Sequence, residues 1–124
     1  MMQKTLSKEI SFQGNALHTG EVVNVKLIPS AENTGIIFVR EDLENAEIPA
    51  LVKYVNRTDR QTILQNGEAS VGTVEHLMAS LYALGIDNLR VELNGSEVPI
   101  LDGSAAPLVD LILEAGIEEQ SVEK

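Results

Sequence analysis

Apolar and polar side chains alternate with a period of two through much of the first half of the chain. Val23, Val25 and Leu27 fall on one face of their segment, and Asn24 and Lys26 fall on the other. This alternation predicts a strand with one buried face. Other segments of this half predict strands by alternation or by β-branched and aromatic content: Ile10 to Phe12, Gly35 to Arg40, Leu51 to Val55 after Pro49, and Thr62 to Leu64.

Turn residues separate these segments. Pro29 and Gly35 bound a short link, and Asn66-Gly67 is the pair that favours a tight hairpin turn directly after the segment 62–64. The first half therefore predicts short strands joined by tight connections.

The spacing changes to a helical period in the second half. Thr73 is a predicted N-cap of the first helix, and Gly85 is predicted at its left-handed C-terminal end. Ser104, with Asp102, is predicted to cap the second helix, which Gly116 follows. The apolar stripes are Val74, Leu77, Met78, Leu81 and Leu84 in the first helix, and Leu108, Leu111, Ile112 and Ala115 in the second.

Together these elements predict an α+β two-layer sandwich, in which two helices cover one face of a mostly antiparallel sheet. Between the helices, Leu89, Val91 and Leu93 predict one more strand, and Asn94-Gly95 a turn after it. Residues 1–117 are predicted to form one domain. The acidic segment 118–124 has no periodicity, which is typical of a frayed end or the start of a linker.

Composition narrows the function classes. The 124 residues suit a single domain, and the absence of cysteine excludes a disulfide scaffold, a zinc ribbon and a thiol enzyme. A formal net charge of -10 disfavours nucleic-acid binding. The N-terminus does not resemble a secretory signal and no apolar run is long enough for a membrane helix, so we expect a cytoplasmic protein.

Two histidines are the first candidates for chemistry. His76 follows Glu75 in the first turn of the predicted helix, and the two side chains project about 100° apart. The partial positive charge at a helix N-terminus favours an ionised Glu75 and a neutral His76, which is the form that binds metal. A zinc ligand beside a carboxylate can activate water for attack on a carbonyl. Alternatively, Glu75 only stabilises the helix start and His76 is a surface residue; a catalytic zinc also needs three protein ligands.

Two further segments stay open between function and structure. His18 and Thr19 lie in a turn-rich link, where they could line a pocket for an anionic substrate or only satisfy loop backbone groups. Asp102, Gly103 and Ser104 precede the second predicted helix, where turn formation and capping account for most of their chemistry.

Four motifs in order resemble one enzyme family. They are Leu17-His18-Thr19-Gly20, Thr73-Val74-Glu75-His76-Leu77-Met78-Ala79, Leu84-Gly85-Ile86-Asp87-Asn88 and Pro99-Ile100-Leu101-Asp102-Gly103-Ser104-Ala105-Ala106-Pro107. Together they are similar to the amino-terminal half of the UDP-3-O-acyl-N-acetylglucosamine deacetylases, zinc-dependent enzymes of lipid A biosynthesis in Gram-negative bacteria. The resemblance runs from about Lys4 to about Ile117.

The resemblance implies a fold and residue roles. Members have two similar domains with the active site between them, and the sugar substrate carries UDP and an acyl chain. By resemblance His76 is a zinc ligand, Glu75 is the general base, and His18 and Thr19 belong to the substrate pocket. Asp102, Gly103 and Ser104 are expected to support the site.

The resemblance also implies that the site is shared. The family's other two zinc ligands come from a His-Lys-x-x-Asp motif in the second domain, and that motif lies outside this chain. We therefore expect a first domain that needs its second domain as partner, is inactive alone and can self-associate through the exposed interface. Two alternatives remain: a non-enzymatic acidic binding module with the same fold, and a metal site completed across a homodimer by His18 and His76.

Overall fold

The computed structural model describes residues 1–57 and 62–124. The backbone forms strands and two α-helices, with short 3-10 turns at Glu41–Leu43 and Val52–Tyr54. The strands are β1 (Met2–Leu6), β2 (Ile10–Asn15), β3 (Val22–Pro29), β4 (Ile36–Arg40), β5 (Ala46–Pro49), β6 (Val55–Arg57), β7 (Thr62–Asn66), β8 (Ala69–Gly72), β9 (Leu89–Leu93) and β10 (Ile117–Glu123). The helices are α1 (Glu75–Ala83) and α2 (Ala106–Ala115).

The main sheet has five strands in the order β2-β3-β9-β4-β5. Neighbours pair antiparallel except β4 and β9, which run parallel because the chain crosses over through α1 between them. The predicted alternation is confirmed in β3 and β9, where Val23, Val25 and Leu27 and then Leu89, Val91 and Leu93 are buried at every second position. The α+β sandwich with a mostly antiparallel sheet is therefore confirmed.

Both helices bury the apolar stripes that their spacing predicted. In α1, Leu77 and Leu81 are fully buried, and in α2, Leu108 and Ile112 are fully buried. They pack in the same hydrophobic core as the inward-facing sheet residues Val23, Val25, Leu27, Phe38, Leu89, Val91 and Leu93. This core fixes α1 against the sheet, so the start of α1 has a defined position. Among the described residues, no helix is long and apolar enough to cross a membrane.

A smaller sheet, β6-β7-β8, lies beside the edge strand β5. The Asn66-Gly67 turn joins β7 to β8 as predicted, with Gly67 at a φ of 64°. The predicted strand over 51–55 is wrong in its first part, because Val52–Tyr54 form a 3-10 turn and the strand begins at Val55. Arg40 joins the two sheets by donating to the Ser70 carbonyl at 2.6 Å.

The chain ends form a third, two-stranded sheet in which β1 and β10 pair antiparallel. The predicted frayed end over 118–124 is therefore wrong, since most of these residues belong to β10. Alternation did not reveal either strand, because buried positions of β1 are polar: Gln3 and Thr5 are almost inaccessible. Their side chains are satisfied by long-range hydrogen bonds, including Thr5 Oγ1 to the Asn88 carbonyl at 2.6 Å.

Two predicted caps are also wrong. The N-cap of α1 is Val74, and Thr73 instead points its hydroxyl at Glu97. The N-cap of α2 is Ala105 rather than Ser104, whose hydroxyl donates to Asp102. The Thr73 hydroxyl is used by Glu97, whereas Ser104 Oγ also accepts from the Ala106 N–H at 3.4 Å and so still contacts the start of α2. The predicted left-handed residue after α1 is confirmed at Gly85, where φ is 72°, and Gly116 directly follows α2 as predicted.

Candidate active site

The start of α1 presents Glu75 and His76 on adjacent positions, as the helical spacing predicted. Glu75 is exposed, and its Oε1 accepts a hydrogen bond from the Thr62 backbone N–H at 3.2 Å. The same residue borders an apolar cavity of about 260 Å³ whose walls include Val52, Leu64 and Met78. The carboxylate thus lies between a polar helix start and an apolar recess.

His76 has an unsatisfied polar atom. Its Nδ1 is buried and has no hydrogen-bond partner among the described residues. A buried polar group without a partner costs about 1–3 kcal/mol, so such atoms usually mark a missing ligand, ion or water. The ring is otherwise held by its place in α1, where the His76 carbonyl accepts from Ser80 Oγ at 2.7 Å.

The turn at Asp102, Gly103 and Ser104 is exposed and holds itself together. Asp102 Oδ1 accepts from the Ser104 N–H at 2.9 Å and from its hydroxyl at 2.7 Å. These bonds lower the pKa of Asp102. The supporting role of the turn stays a prediction.

His18 and Thr19 gather around a residue that the sequence did not single out, Glu97. We name His18, Thr19, Thr73 and Glu97 the Glu97 cluster. Glu97 Oε1 pairs with His18 Nδ1 at 2.8 Å and accepts from Thr73 Oγ1 at 2.8 Å. Its Oε2 accepts from the backbone N–H groups of His18 and Thr19, both at 3.2 Å. The Glu97 side chain is 4% exposed and the His18 side chain 26% exposed.

Burial and hydrogen bonding oppose each other at Glu97. Burial raises the pKa of a carboxyl group, but the bonds from His18 and Thr73 together outweigh it, and the pKa of Glu97 falls below its ordinary value. The group is therefore ionised at neutral pH, and every neighbour must offer it a hydrogen.

Backbone strain accompanies this cluster. Thr73 has a φ of 55° and Leu101 a φ of 54°, which is unfavourable for side chains larger than glycine. Such conformations cost about 1–3 kcal/mol each and concentrate at functional sites. The Thr73 N–H donates to the Thr62 carbonyl at 3.1 Å, so Thr73 is held from both its backbone and its side chain just before α1 begins.

The donor set fits part of a metal site. His76 offers a ring nitrogen of the type that zinc prefers, and its buried Nδ1 lacks a partner. However, the described residues contain no group of three His, Asp or Glu side chains that could hold a metal. The role of His76 as a metal ligand therefore stays a prediction.

The structure separates the predicted residues into two neighbouring groups. Glu75 and His76 lie at the start of α1. His18 and Thr19 lie in the Glu97 cluster, whose member Thr73 is two residues before Glu75. Sequence reasoning missed Glu97 because it lies in a turn-rich stretch after Gly95, where a charged residue is ordinary. The one available signal was its position directly before the apolar run Val98-Pro99-Ile100-Leu101, which draws it into the interior.

Comparison with known proteins gives the class of protein. The sequence model of a family described as UDP-3-O-acyl N-acetylglycosamine deacetylase (LpxC) matches residues 3–124. A Myxococcus xanthus UDP-3-O-acyl-N-acetylglucosamine deacetylase is 54% identical over 123 residues, which are 98% of this chain and 39% of the relative. A Coxiella burnetii protein of the same name is 47% identical over 98% of this chain and 41% of its own length.

The chain belongs to the UDP-3-O-acyl-N-acetylglucosamine deacetylase family, as its four motifs predicted. It spans about two-fifths of the length of these relatives.

Proposed function

We propose that this chain is the first domain of a zinc-dependent deacetylase that hydrolyses the acetamide of UDP-3-O-acyl-N-acetylglucosamine. The observation that carries the proposal is the start of α1, where Glu75 adjoins His76 and the buried His76 Nδ1 has no partner among the described residues. Family membership and the names of the relatives support the substrate class.

His76 is the ligand that this chain offers to zinc. When bound, zinc polarises the substrate carbonyl and makes a water molecule acidic enough to react. The remaining ligands come from the part of the protein beyond this chain, since the chain spans two-fifths of its relatives. The isolated chain is therefore expected to bind zinc weakly and to show little activity.

Glu75 is the general base. Its carboxylate is exposed and accepts from the Thr62 N–H at 3.2 Å, and a carboxylate has further lone pairs that can take the proton of an attacking water. Glu75 and His76 are consecutive in the first turn of α1, which supports the assignment of a base next to a ligand. Acetate and a free amine are the products.

The wider setting follows from the resemblance. The reaction belongs to lipid A biosynthesis and takes place in the cytoplasm, on a substrate whose uridine diphosphate is anionic. His18 and Thr19 line the pocket for that substrate, and the turn at Asp102, Gly103 and Ser104 supports the site from the side of His76.

Acetate release from the UDP-sugar tests the proposal. We would measure the chain alone and a chimera that joins it to the part of the Myxococcus xanthus relative beyond the matched residues. The chimera is expected to turn over substrate and the chain alone is not. Glu75→Gln in the chimera is expected to lower kcat about 10²- to 10⁴-fold, because general base catalysis contributes that much.

A matched control is Glu114→Gln, which removes the same charge from an exposed position in α2 and should leave kcat unchanged. Equal rates in Glu75→Gln and Glu114→Gln would contradict the assignment of the base. Turnover by the isolated chain would contradict the shared site, and an inactive chimera would favour a binding module that keeps the fold.

A further inference from the structure

The Glu97 cluster buries a charge and surrounds it with hydrogen bonds. An ionised carboxylate is almost completely buried, and it contacts one ring nitrogen, one hydroxyl and two backbone N–H groups. Burial of a charge costs several kcal/mol unless donors surround it. A neutral side chain would fill the same space at a lower desolvation cost. We therefore ask what the charge of Glu97 does to the groups around it.

The groups that contact Glu97 differ in whether they can only donate a hydrogen bond or can also accept one. The backbone N–H groups of His18 and Thr19 are permanent donors. The ring nitrogen of His18 and the hydroxyl of Thr73 can each donate or accept. Because an ionised carboxylate only accepts, His18 Nδ1 must carry a hydrogen, and Nε2, on the edge of the ring directed away from Glu97, has none when the ring is neutral.

We propose that Glu97 is a positioning residue that holds His18 with its hydrogen on Nδ1, so that Nε2 accepts a hydrogen bond from a hydroxyl group of the sugar substrate. The assignment to substrate rests on the function proposed above. It is supported by the bonds of Glu97 to both His18 and Thr73, because Thr73 is only two residues before Glu75 and the His18 loop is thereby held close to the start of α1. His18 is also partly exposed, so a ligand can reach the ring.

The variant Glu97→Gln separates positioning from packing. Its amide has almost the same shape, but only one of its two polar ends accepts. That oxygen has to face the permanent donors, the N–H groups of His18 and Thr19, so the NH2 group faces His18 Nδ1 and Thr73 Oγ1. Both of these can respond by accepting, and the hydrogen of His18 then moves to Nε2.

Nitrogen-15 NMR of the imidazole rings reads this change directly, because the two tautomers have different ring shifts. The chain has only His18 and His76, so His18→Gln assigns the signals. The unmodified chain at pH 8 is expected to show the Nδ1–H form of His18, and Glu97→Gln the Nε2–H form. Glu21→Gln removes the same charge from an exposed position near the loop and should leave the Nδ1–H form in place.

An Nε2–H form of His18 in the unmodified chain would overturn the proposal even if the variant failed to fold. An unchanged tautomer in a folded Glu97→Gln variant would also overturn it.

The substrate contact is tested in the chimera by steady-state kinetics. Glu97→Gln is expected to raise KM about tenfold with kcat changed less than about twofold, because Nε2 becomes a donor where the substrate also donates. A tenfold fall in kcat with no change in KM would contradict the substrate contact. If the unmodified chimera is inactive, the proposed function fails, while the NMR result still decides the role of Glu97.

Discussion

Two buried polar side chains lie just beyond opposite ends of β9, and both accept hydrogen bonds from the backbone of a loop, one as a neutral amide and the other as a charged carboxylate. Asn88 precedes the strand and Glu97 follows it; as whole residues they are 2% and 3% exposed. Each accepts two backbone N–H groups from a neighbouring loop. Asn88 does so with a neutral amide, and Glu97 does so with a charge.

The Asn88 end is a neutral network that holds the chain ends in place. Asn88 Oδ1 accepts from Thr34 N–H at 3.2 Å and Gly35 N–H at 2.9 Å. Its Nδ2 donates to Gln3 Oε1 at 2.9 Å and Gln120 Oε1 at 2.7 Å. An amide both donates and accepts, so β1 and β10 are joined to the main sheet without a buried charge.

At the other end of β9, the Glu97 carboxylate can only accept hydrogen bonds, and the backbone beside it is strained. The carboxylate dictates the hydrogen positions of its neighbours, and Thr73 beside it has an unfavourable positive φ. The neutral network joins the chain ends to the main sheet. On our proposal, the charged one determines which ring nitrogen of His18 carries the hydrogen.

Glu97→Ala should have the largest effect on stability. It leaves two backbone N–H groups, a hydroxyl and a ring N–H without their acceptor, and we expect a loss of about 3 kcal/mol in the free energy of unfolding. Urea denaturation measures it. A loss below about 1 kcal/mol would show that water replaces the carboxylate easily and that the cluster is not interior.

Asn88→Ala comes next, with an expected loss of about 2 kcal/mol, because each neutral hydrogen bond contributes about half as much as a charged one. Asn94→Ala, at an exposed position of the same residue type, is the matched control and should change stability by less than about 1 kcal/mol. If Asn88→Ala costs more than Glu97→Ala, the ranking of the two ends is wrong.

Thr73→Val should lower stability by about 1 kcal/mol, since it keeps the branched shape and the strained backbone but removes one donor from Glu97. Thr73→Ser keeps that donor and serves as the control. Denaturation of both variants separates the hydroxyl from the backbone, and an equal loss in both would place the effect in packing.

The pH dependence of stability should distinguish the charged end, with an effect no larger than that of Thr73→Val. Because the pKa of Glu97 is lowered in the folded state, its contribution is present above the unfolded pKa of about 4.3 and is lost as pH falls through the folded pKa. The unmodified chain should exceed Glu97→Gln by about 1 kcal/mol at pH 7. The difference should shrink below pH 4, and a constant difference from pH 7 to pH 3 would contradict an ionised Glu97.

The sequence predicted those parts of the fold in which burial follows a regular period. Val23, Val25 and Leu27 in β3 and the stripe of Leu77 and Leu81 in α1 are examples, because apolar side chains at regular spacing need one buried face. The strands at the chain ends could not be predicted in this way, since Gln3 is buried through partners about 30 and 120 residues away in the chain.

The site was predictable only where residues close in sequence act together. Glu75 and His76 share a helix turn, so spacing and family motifs both indicated them. Glu97 acts through His18, 79 residues away, and no local pattern contains that pairing. The prediction of Thr73 as an N-cap failed for the same reason. Its hydroxyl bonds to Glu97, which a parallel bridge to Gly72 brings close although it is distant in sequence.

The zinc content of the chimera distinguishes the proposed roles of His76 and His18, which serve as matched variants. If His76 is a zinc ligand and His18 is a substrate residue positioned by Glu97, the unmodified chimera and His18→Gln will retain zinc after dialysis, measured by mass spectrometry. His76→Gln will lose most of it. Equal zinc retention in both variants, or equal loss in both, would contradict the account.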